Sequence, residues 1–311
     1  MPRYKIAHIT SLENRIPAYC VENIRKFADI KFAECANESQ LVEFAADCDI
    51  IWMYGPNIAL KEAALDKLPN VKALFRSGSG LDALPVDYAK EHNLSVWNSP
   101  ESIAESVAEH AVSLLFALAR HLVQFHNQVQ ENIWDSSNKQ TQWHLTGRTL
   151  GLVGYGRIAK KVEKMVSGFD MKVLHYDPAS PNSMALDEML PLCDFVSVHC
   201  PLLPQTTKLF NKERFALMKK NALLVNTSRG PVLDEEALLA SLQSNHLGGA
   251  ALDVLCDEPP KLDNPLLKEK KVIITPHAAA FSADFEKNFW ECSVTKLEEI
   301  CKYLEEQEKR C

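Results

Sequence analysis

Thr149-Leu150-Gly151-Leu152-Val153-Gly154-Tyr155-Gly156-Arg157-Ile158-Ala159 is the stretch on which the reading of this chain turns. An apolar run of strand length leads into two glycines and a small residue spaced G-x-G-x-x-A, then into a helical pattern with Val162 and Met165. Gly154 permits a tight turn, and Gly156 lets the backbone approach a pyrophosphate. The small Ala159 allows a helix to pack closely on the strand. The N-terminus of that helix would offer free N–H groups and a partial positive charge to the same pyrophosphate.

Asp177 follows Gly154 by 23 residues, at the end of the next apolar run, Leu174-His175-Tyr176. The spacing is close to the ~20 residues expected of an acid that binds a ribose. Its carboxylate would accept hydrogen bonds from ribose hydroxyls and repel a 2′-phosphate. No Arg or Lys stands between Asp177 and Ala185 to welcome that phosphate. NAD is therefore expected rather than NADP.

Further apolar runs continue the pattern at Lys172–Tyr176, Asp194–Cys200, Ala222–Thr227, Gly249–Val254 and Val272–Thr275. Their near-continuous apolar character suits strands buried on both faces of a parallel sheet. Upstream, Tyr4–Thr10, Asp49–Tyr54, Val71–Arg76 and Leu94–Trp97 alternate with helical patterns around Pro17–Phe27, Ser39–Ala46 and Leu60–Leu68. They predict a smaller α/β unit. A long helix is expected from Ser102 to Leu122, with Val107, Ala111, Leu114, Leu115, Leu118 and Leu122 on one stripe. The polar stretch Asn127–Gln142 reads as a surface connection. A last helix from Ala283 to near Glu306 carries Phe285, Phe289, Leu297, Ile300 and Leu304 on one face.

Composition narrows the function. The chain of 311 residues has the length of roughly two domains. Lys+Arg is 34 against Asp+Glu 41, a formal charge of -7, which argues against nucleic acid or an anionic membrane surface as partner. The nine cysteines form no C-x-x-C and no zinc-like cluster with histidine, so reduced thiols and no metal are expected. No apolar run approaches ~18 residues, and the strand-like start, MPRYKIAHIT, is not a signal peptide. A cytoplasmic protein is expected.

Three segments fall at strand ends, where an open α/β sheet forms its binding crevice. They are Asn226-Thr227-Ser228-Arg229-Gly230, Asp253-Val254-Leu255-Cys256-Asp257-Glu258-Pro259-Pro260, and Thr275-Pro276-His277-Ala278-Ala279-Ala280. Reduction of a 2-oxo acid needs one group from each. A planar cation, Arg229, would hold the carboxylate or polarise the carbonyl. An imidazole, His277, would protonate the developing alkoxide. A carboxylate beside it, Glu258, would favour the imidazolium.

These segments, together with Ser77-Gly78-Ser79-Gly80-Leu81-Asp82, Asn98-Ser99-Pro100, Ser106-Val107-Ala108-Glu109, Gly147 to Ile158, and His199-Cys200-Pro201-Leu202 with Gln205-Thr206, resemble the D-isomer-specific 2-hydroxyacid dehydrogenase family. The resemblance runs from about Leu74 to Ser282. It implies a Rossmann-type NAD-binding domain at 99–282, inserted in a smaller flavodoxin-like substrate domain formed by 1–98 and 283–311 and hinged on it. The implied catalytic residues are Arg229, Glu258 and His277. The loop Ser77, Gly78 and Ser79 is implied to bind the substrate carboxylate through backbone N–H groups. The implied NAD contacts are Gly154, Gly156, Arg157, Ile158, Asp177, Thr227, Ser228, Asp253 and Ala280, with Asp253 facing the nicotinamide carboxamide. The helix from Ser102 is similar to the family's dimer-forming element, so a homodimer is expected.

Ala159 and Ser282 replace the family's more usual Gly and Thr, and Phe281 brings an aromatic where smaller residues are frequent. The expected activity is NAD-dependent interconversion of a small 2-oxo acid and its D-2-hydroxy acid. Hydroxypyruvate or glyoxylate leads among substrates, and a phosphoglycerate dehydrogenase-like role is the rival if Arg76 meets a phosphate. A second reading is an NAD(H)-sensing protein of the corepressor kind. Formate oxidation fits less well, because formate has no need of the acid/base help of Glu258.

Overall fold

Every residue of Ile50–Met53 is buried, which a strand achieves only when both faces of its sheet are covered. The computed structural model describes residues 4–55, 57–134 and 142–310. Five short strands, β1 (Lys5–His8), β2 (Asp29–Phe32), β3 (Ile50–Met53), β4 (Ala73–Arg76) and β5 (Ser95–Asn98), form a parallel sheet in the order β2-β1-β3-β4-β5. This is the flavodoxin-like order. The connecting helices are α1 (Ala18–Ile24), α2 (Glu38–Ala45), α3 (Glu62–Leu65) and α4 (Val86–Glu91). Side chains alternate between the faces. Ile6, Trp52 and Phe75 pack with Val21 and Ile24, whereas Ile51, Met53 and Leu74 pack with Leu41, Leu65 and Ala89.

A second parallel sheet follows. After α5 (Ala104–Ala119) and α6 (Leu122–Gln130) come β6 (Thr149–Val153), α7 (Arg157–Val166), β7 (Lys172–Tyr176), α8 (Leu186–Met189), β8 (Phe195–Val198), α9 (Lys212–Leu217), β9 (Leu223–Asn226), α10 (Glu235–Gln243), β10 (Gly249–Leu252) and β11 (Val272–Ile274). The strand order is β11-β10-β9-β8-β6-β7. The chain therefore moves outward from β6 to β7 and then returns to β8 on the other side of β6. That reversal makes the carboxyl ends of β6 and β8 the switch point where such sheets bind ligands. One face is sealed by α5 and α7 through Leu114, Leu118, Ala159 and Val162. The other is sealed by Met189, Phe215, Leu238 and Leu242.

The chain closes with α11 (Phe285–Glu308), whose Phe289, Trp290, Leu297, Ile300 and Leu304 join Trp52 and Phe75 in the core of the first sheet. Two units result. One is the chain up to Ile103 together with the part from Ser282 on; the other is Ala104–Phe281.

Several elements differ from the sequence patterning. β2 is an edge strand with Asp29 exposed and its other residues half-buried, so it lacks the apolar signal of its neighbours. The helix expected to run from Ser102 to Leu122 spans only Ala104–Ala119. His121 takes a left-handed backbone (φ 50°), and α6 leaves at 63° to α5. Leu122 consequently does not continue the buried stripe and is 55% exposed. Of the surface connection read at Asn127–Gln142, residues 135–141 lie outside the described residues. Among the described residues no single helix is long and apolar enough to cross a membrane.

Candidate active site

The nucleotide loop is built by close approach. Gly154 has φ +85°, and a Cβ on it would stand 2.6 Å from the Cys200 backbone nitrogen at the end of the neighbouring strand β8. Its N–H donates to the Tyr176 carbonyl at 2.7 Å. Gly156 caps α7 with no side-chain hydrogen bond, and a Cβ there would meet nothing within 4 Å. The first amides of α7, at Arg157 and Ile158, thus open onto free space of the kind a pyrophosphate fills. Ala159 is fully buried against the sheet.

Asp177 stands at the rim of this loop. Its carboxylate accepts from the Tyr155 amide (2.8 Å) and from the Ala179 amide (2.9 Å), and its own amide donates to Ser183 Oγ. The Tyr155 ring stacks on His175 at 3.8 Å, which steadies the same corner. Further along the edge, Thr227 Oγ1 is buried and has no hydrogen-bond partner among the described residues. An open cradle at Gly156, an uncapped helix, a fixed acid and an orphaned hydroxyl fit a dinucleotide.

The candidate acid/base pair comes from two loops after β10 and β11. His277 Nδ1 lies 2.6 Å from Glu258 Oε2, while Glu258 Oε1 accepts from the Leu255 amide at 3.0 Å. With Nδ1–H donating to the carboxylate, the tautomer is set and Nε2 is left to exchange a proton. His277 has the left-handed φ of 52°, a conformation that costs a non-glycine residue roughly 1–3 kcal/mol unless its surroundings enforce it. They do so here. The His277 amide donates to the Asp253 carbonyl (2.8 Å), and the Ala278 and Ala279 amides donate to the two oxygens of the Asp253 side chain (2.9 and 3.0 Å).

Asp253 was expected to face the nicotinamide carboxamide; its side chain instead has no exposed surface, and its oxygens hold the turn that carries His277 and Ala280. Burial pushes its carboxyl up, but hydrogen bonds from His110, Thr275 and the two amides outweigh that and hold it below the usual carboxylate range. By contrast His199, the imidazole at the end of β8, is pushed down by burial to about 4. It is neutral near pH 7 and is no proton donor there.

Arg229 follows β9 on a loop that Asn226 templates. The Asn226 Oδ1 accepts from the Ser228 amide and hydroxyl, and its Nδ2 donates to the Arg229 carbonyl. The next residue, Gly230, sits so tightly that a Cβ would fall 2.0 Å from the Leu255 carbonyl carbon. The Arg229 loop and the Glu258 loop are therefore packed backbone to backbone. Sequence reasoning assigned no role to Asn226, His110 or Thr275. A buried Asn ending an apolar strand was the available signal for the first, and no spacing rule points to the others.

In the other unit, the loop after β4 is similarly tied. Gly78 has φ +96°, its amide donates to Ser99 Oγ at 3.0 Å, and the Ser77 amide donates to the Met53 carbonyl. Ser77 Oγ is held by Trp52 Nε1 and Ser293 Oγ. Of the three amides expected to bind a carboxylate, only that of Ser79 has no protein acceptor among the described residues. Arg76 donates to the Gly80 carbonyl at 2.5 Å and lies 3.5 Å from Asp82, so its guanidinium braces this loop. Among the described residues no group of His, Cys, Asp and Glu is placed to hold a metal ion.

Comparison with known proteins gives a consistent picture. Residues 112–279 match the family model described as D-isomer specific 2-hydroxyacid dehydrogenase, NAD binding domain. The chain is 35% identical over 277 residues to a hydroxypyruvate reductase of Blautia hydrogenotrophica, covering 85% of each. It is 34% identical to a D-3-phosphoglycerate dehydrogenase of Methanocaldococcus jannaschii over 86% of this chain, and spans about half (52%) of that relative's length. Among solved structures, D-lactate dehydrogenase from Aquifex aeolicus, complexed with NAD and lactic acid, superimposes with a TM-score of 0.83. Its sequence identity is 28%, covering 98% of this chain and 97% of that one.

The contrast between two glycines makes a test. Gly230→Ala forces two backbones apart and should lower stability by about 1–3 kcal/mol, seen as a Tm reduced by several degrees in calorimetry. Gly156→Ala meets open space and should leave Tm unchanged while weakening dinucleotide binding. Equal Tm values for the two variants would contradict the close packing of the Arg229 and Glu258 loops.

Proposed function

This chain belongs to the D-isomer-specific 2-hydroxyacid dehydrogenase family, and we propose that it uses NAD to interconvert a small 2-oxo acid and its D-2-hydroxy acid. The observation that carries this reading is the His277–Glu258 pair, with Nδ1 held and Nε2 open, on the same unit as the Gly154–Asp177 nucleotide loop. In reduction, His277 Nε2–H gives its proton to the carbonyl oxygen as negative charge develops there. Glu258 on Nδ1 orients the ring and leaves Nε2 to face the reacting oxygen. Arg229 holds the substrate by its planar fork, which suits a carboxylate or a polarised carbonyl oxygen. Bound NADH supplies the hydride.

The residues assigned to the dinucleotide are Gly154, Gly156, Arg157 and Ile158 at the pyrophosphate, Asp177 at the ribose, and Thr227, Ser228 and Ala280 along the edge, with Asp253 holding the turn that carries Ala280. Ser77, Gly78 and Ser79 are assigned to the substrate carboxylate, with the Ser79 amide as the available donor. Hydroxypyruvate or glyoxylate is the substrate class this reading favours. A phosphorylated substrate is less well served, because Arg76, the cation beside that loop, is occupied by Gly80 and Asp82. The exposed Leu122, Val129, Ile133 and Trp134 support a homodimer contact on α6 and the stretch that follows it.

Two experiments test the scheme. Asp177 should make NADH the preferred cofactor by kcat/KM over NADPH, and Asp177→Ala should narrow the gap; equal values in the unsubstituted protein would remove Asp177 from the ribose. His277→Ala should lower kcat by ~10²–10⁴-fold, the usual worth of a positioned acid. Glu258→Gln should be milder, since the hydrogen bond can persist without the charge. Unchanged kcat in Glu258→Gln, with only Tm lowered, would reduce Glu258 to a support for its own loop.

A further inference from the structure

His110 lies behind the His277 turn and has no part in the scheme above. It is carried on α5, and its Nε2 is 3.1 Å from Thr275 Oγ1 and 3.5 Å from Asp253 Oδ1. The Thr275 hydroxyl has a single proton, which points to Asp253 Oδ1 at 2.5 Å. Toward His110 the same oxygen can only accept, so Nε2 carries the hydrogen. A one-directional chain results, from His110 Nε2–H to Thr275 Oγ1–H to the Asp253 carboxylate. The same Oδ1 also accepts from the Ala278 amide, and Oδ2 accepts from the Ala279 amide. Hydrogen bonds in such a buried series polarise and orient one another.

We propose that His110 is a positioning residue for the proton-transfer turn. It fixes the Thr275 hydroxyl on Asp253, and through that carboxylate it holds residues 277–279 in the left-handed bend that presents His277 to Glu258. Without the donor at Nε2, Thr275 Oγ1 is free to rotate away from Asp253, and the carboxylate then lacks the contact that fixes its orientation. The two amides it holds come loose with it. A second constraint supports the direction of cause. Helix α5 is immobilised by Leu114, Leu115 and Leu118, all buried against the sheet, so the imidazole is delivered from a rigid support to a strained turn.

The proposal rests on the reading of His277 as proton donor, and its test separates the two. In the cofactor-free protein, hydrogen–deuterium exchange at Ala278 and Ala279 should speed up about tenfold in His110→Ala, the effect of losing one hydrogen bond of ordinary strength. Protection elsewhere in the sheet should be unchanged. His110→Gln, whose amide nitrogen reaches a similar point, should restore it. In turnover, His110→Ala should lower kcat about tenfold with little change in KM for the oxo acid, and His110→Gln should recover most of it. Combining His110→Ala with Thr275→Val should cost no more than either alone, as members of one chain do. If His110→Ala does not fold, Thr275→Val keeps the volume, breaks the same chain and reads out the same exchange and kcat. Wild-type exchange and kcat in these variants would overturn the proposal even if His277→Ala is inactive. Active His277→Ala with altered exchange would instead overturn the catalytic reading.

Discussion

The carboxylate of Asp253 is buried without an exposed atom, and the candidate catalytic edge of the second sheet is organised around that fact. A charge taken out of water is costly unless donors surround it. Here the donors are the Thr275 hydroxyl, the Ala278 and Ala279 amides, and His110 close by. Satisfying one acid thus dictates the path of the chain from 275 to 279, and that path places His277 beside Glu258. The positive φ of His277 follows from this constraint rather than from its own preference.

The same economy of contacts joins the remaining loops. Glu258 divides its two oxygens between the Leu255 amide and His277, so its position reports on both loops at once. Gly230 brings the Arg229 loop against Leu255, and Asn226 shapes that loop from within while its carbonyl accepts the Asp253 amide. Arg229, Glu258 and His277 come from three separate loops, yet the first two loops meet backbone to backbone at Gly230 and Leu255, and Glu258 and His277 meet through their side chains. At the switch point, Gly154 does for the nucleotide loop what Gly230 does for the substrate side.

Much of this was legible in the chain itself, for physical reasons that differ by element. The inner strands of the second sheet, such as Phe195–Val198 and Leu223–Asn226, are apolar throughout because both faces are covered, and so they stand out. β2 escapes notice because an edge strand half in solvent needs no such run. The break at His121 is invisible because a left-handed residue there satisfies no local signal, and the apolar pattern runs on through Leu122. Within the site, residue type at the strand ends offers Arg229, Glu258 and His277 as candidates and the family resemblance implies their roles, but neither says what each oxygen or amide touches. Asp253 as the clamp of the turn, the amides of Ser77 and Gly78 engaged by Met53 and Ser99, and the part of His110 all depend on contacts between distant segments.

The central claim is that this edge reduces a 2-oxo acid with hydride delivered to give the D product. Its most direct test is NADH consumption with hydroxypyruvate, glyoxylate, pyruvate, 2-oxoisocaproate and 3-phosphohydroxypyruvate in parallel, with the configuration of chiral products determined by chiral chromatography. Consumption with hydroxypyruvate or glyoxylate, and D-configured hydroxy acid from each prochiral substrate used, is the predicted result. No NADH consumption with any of the five, or an L-configured product, would contradict it.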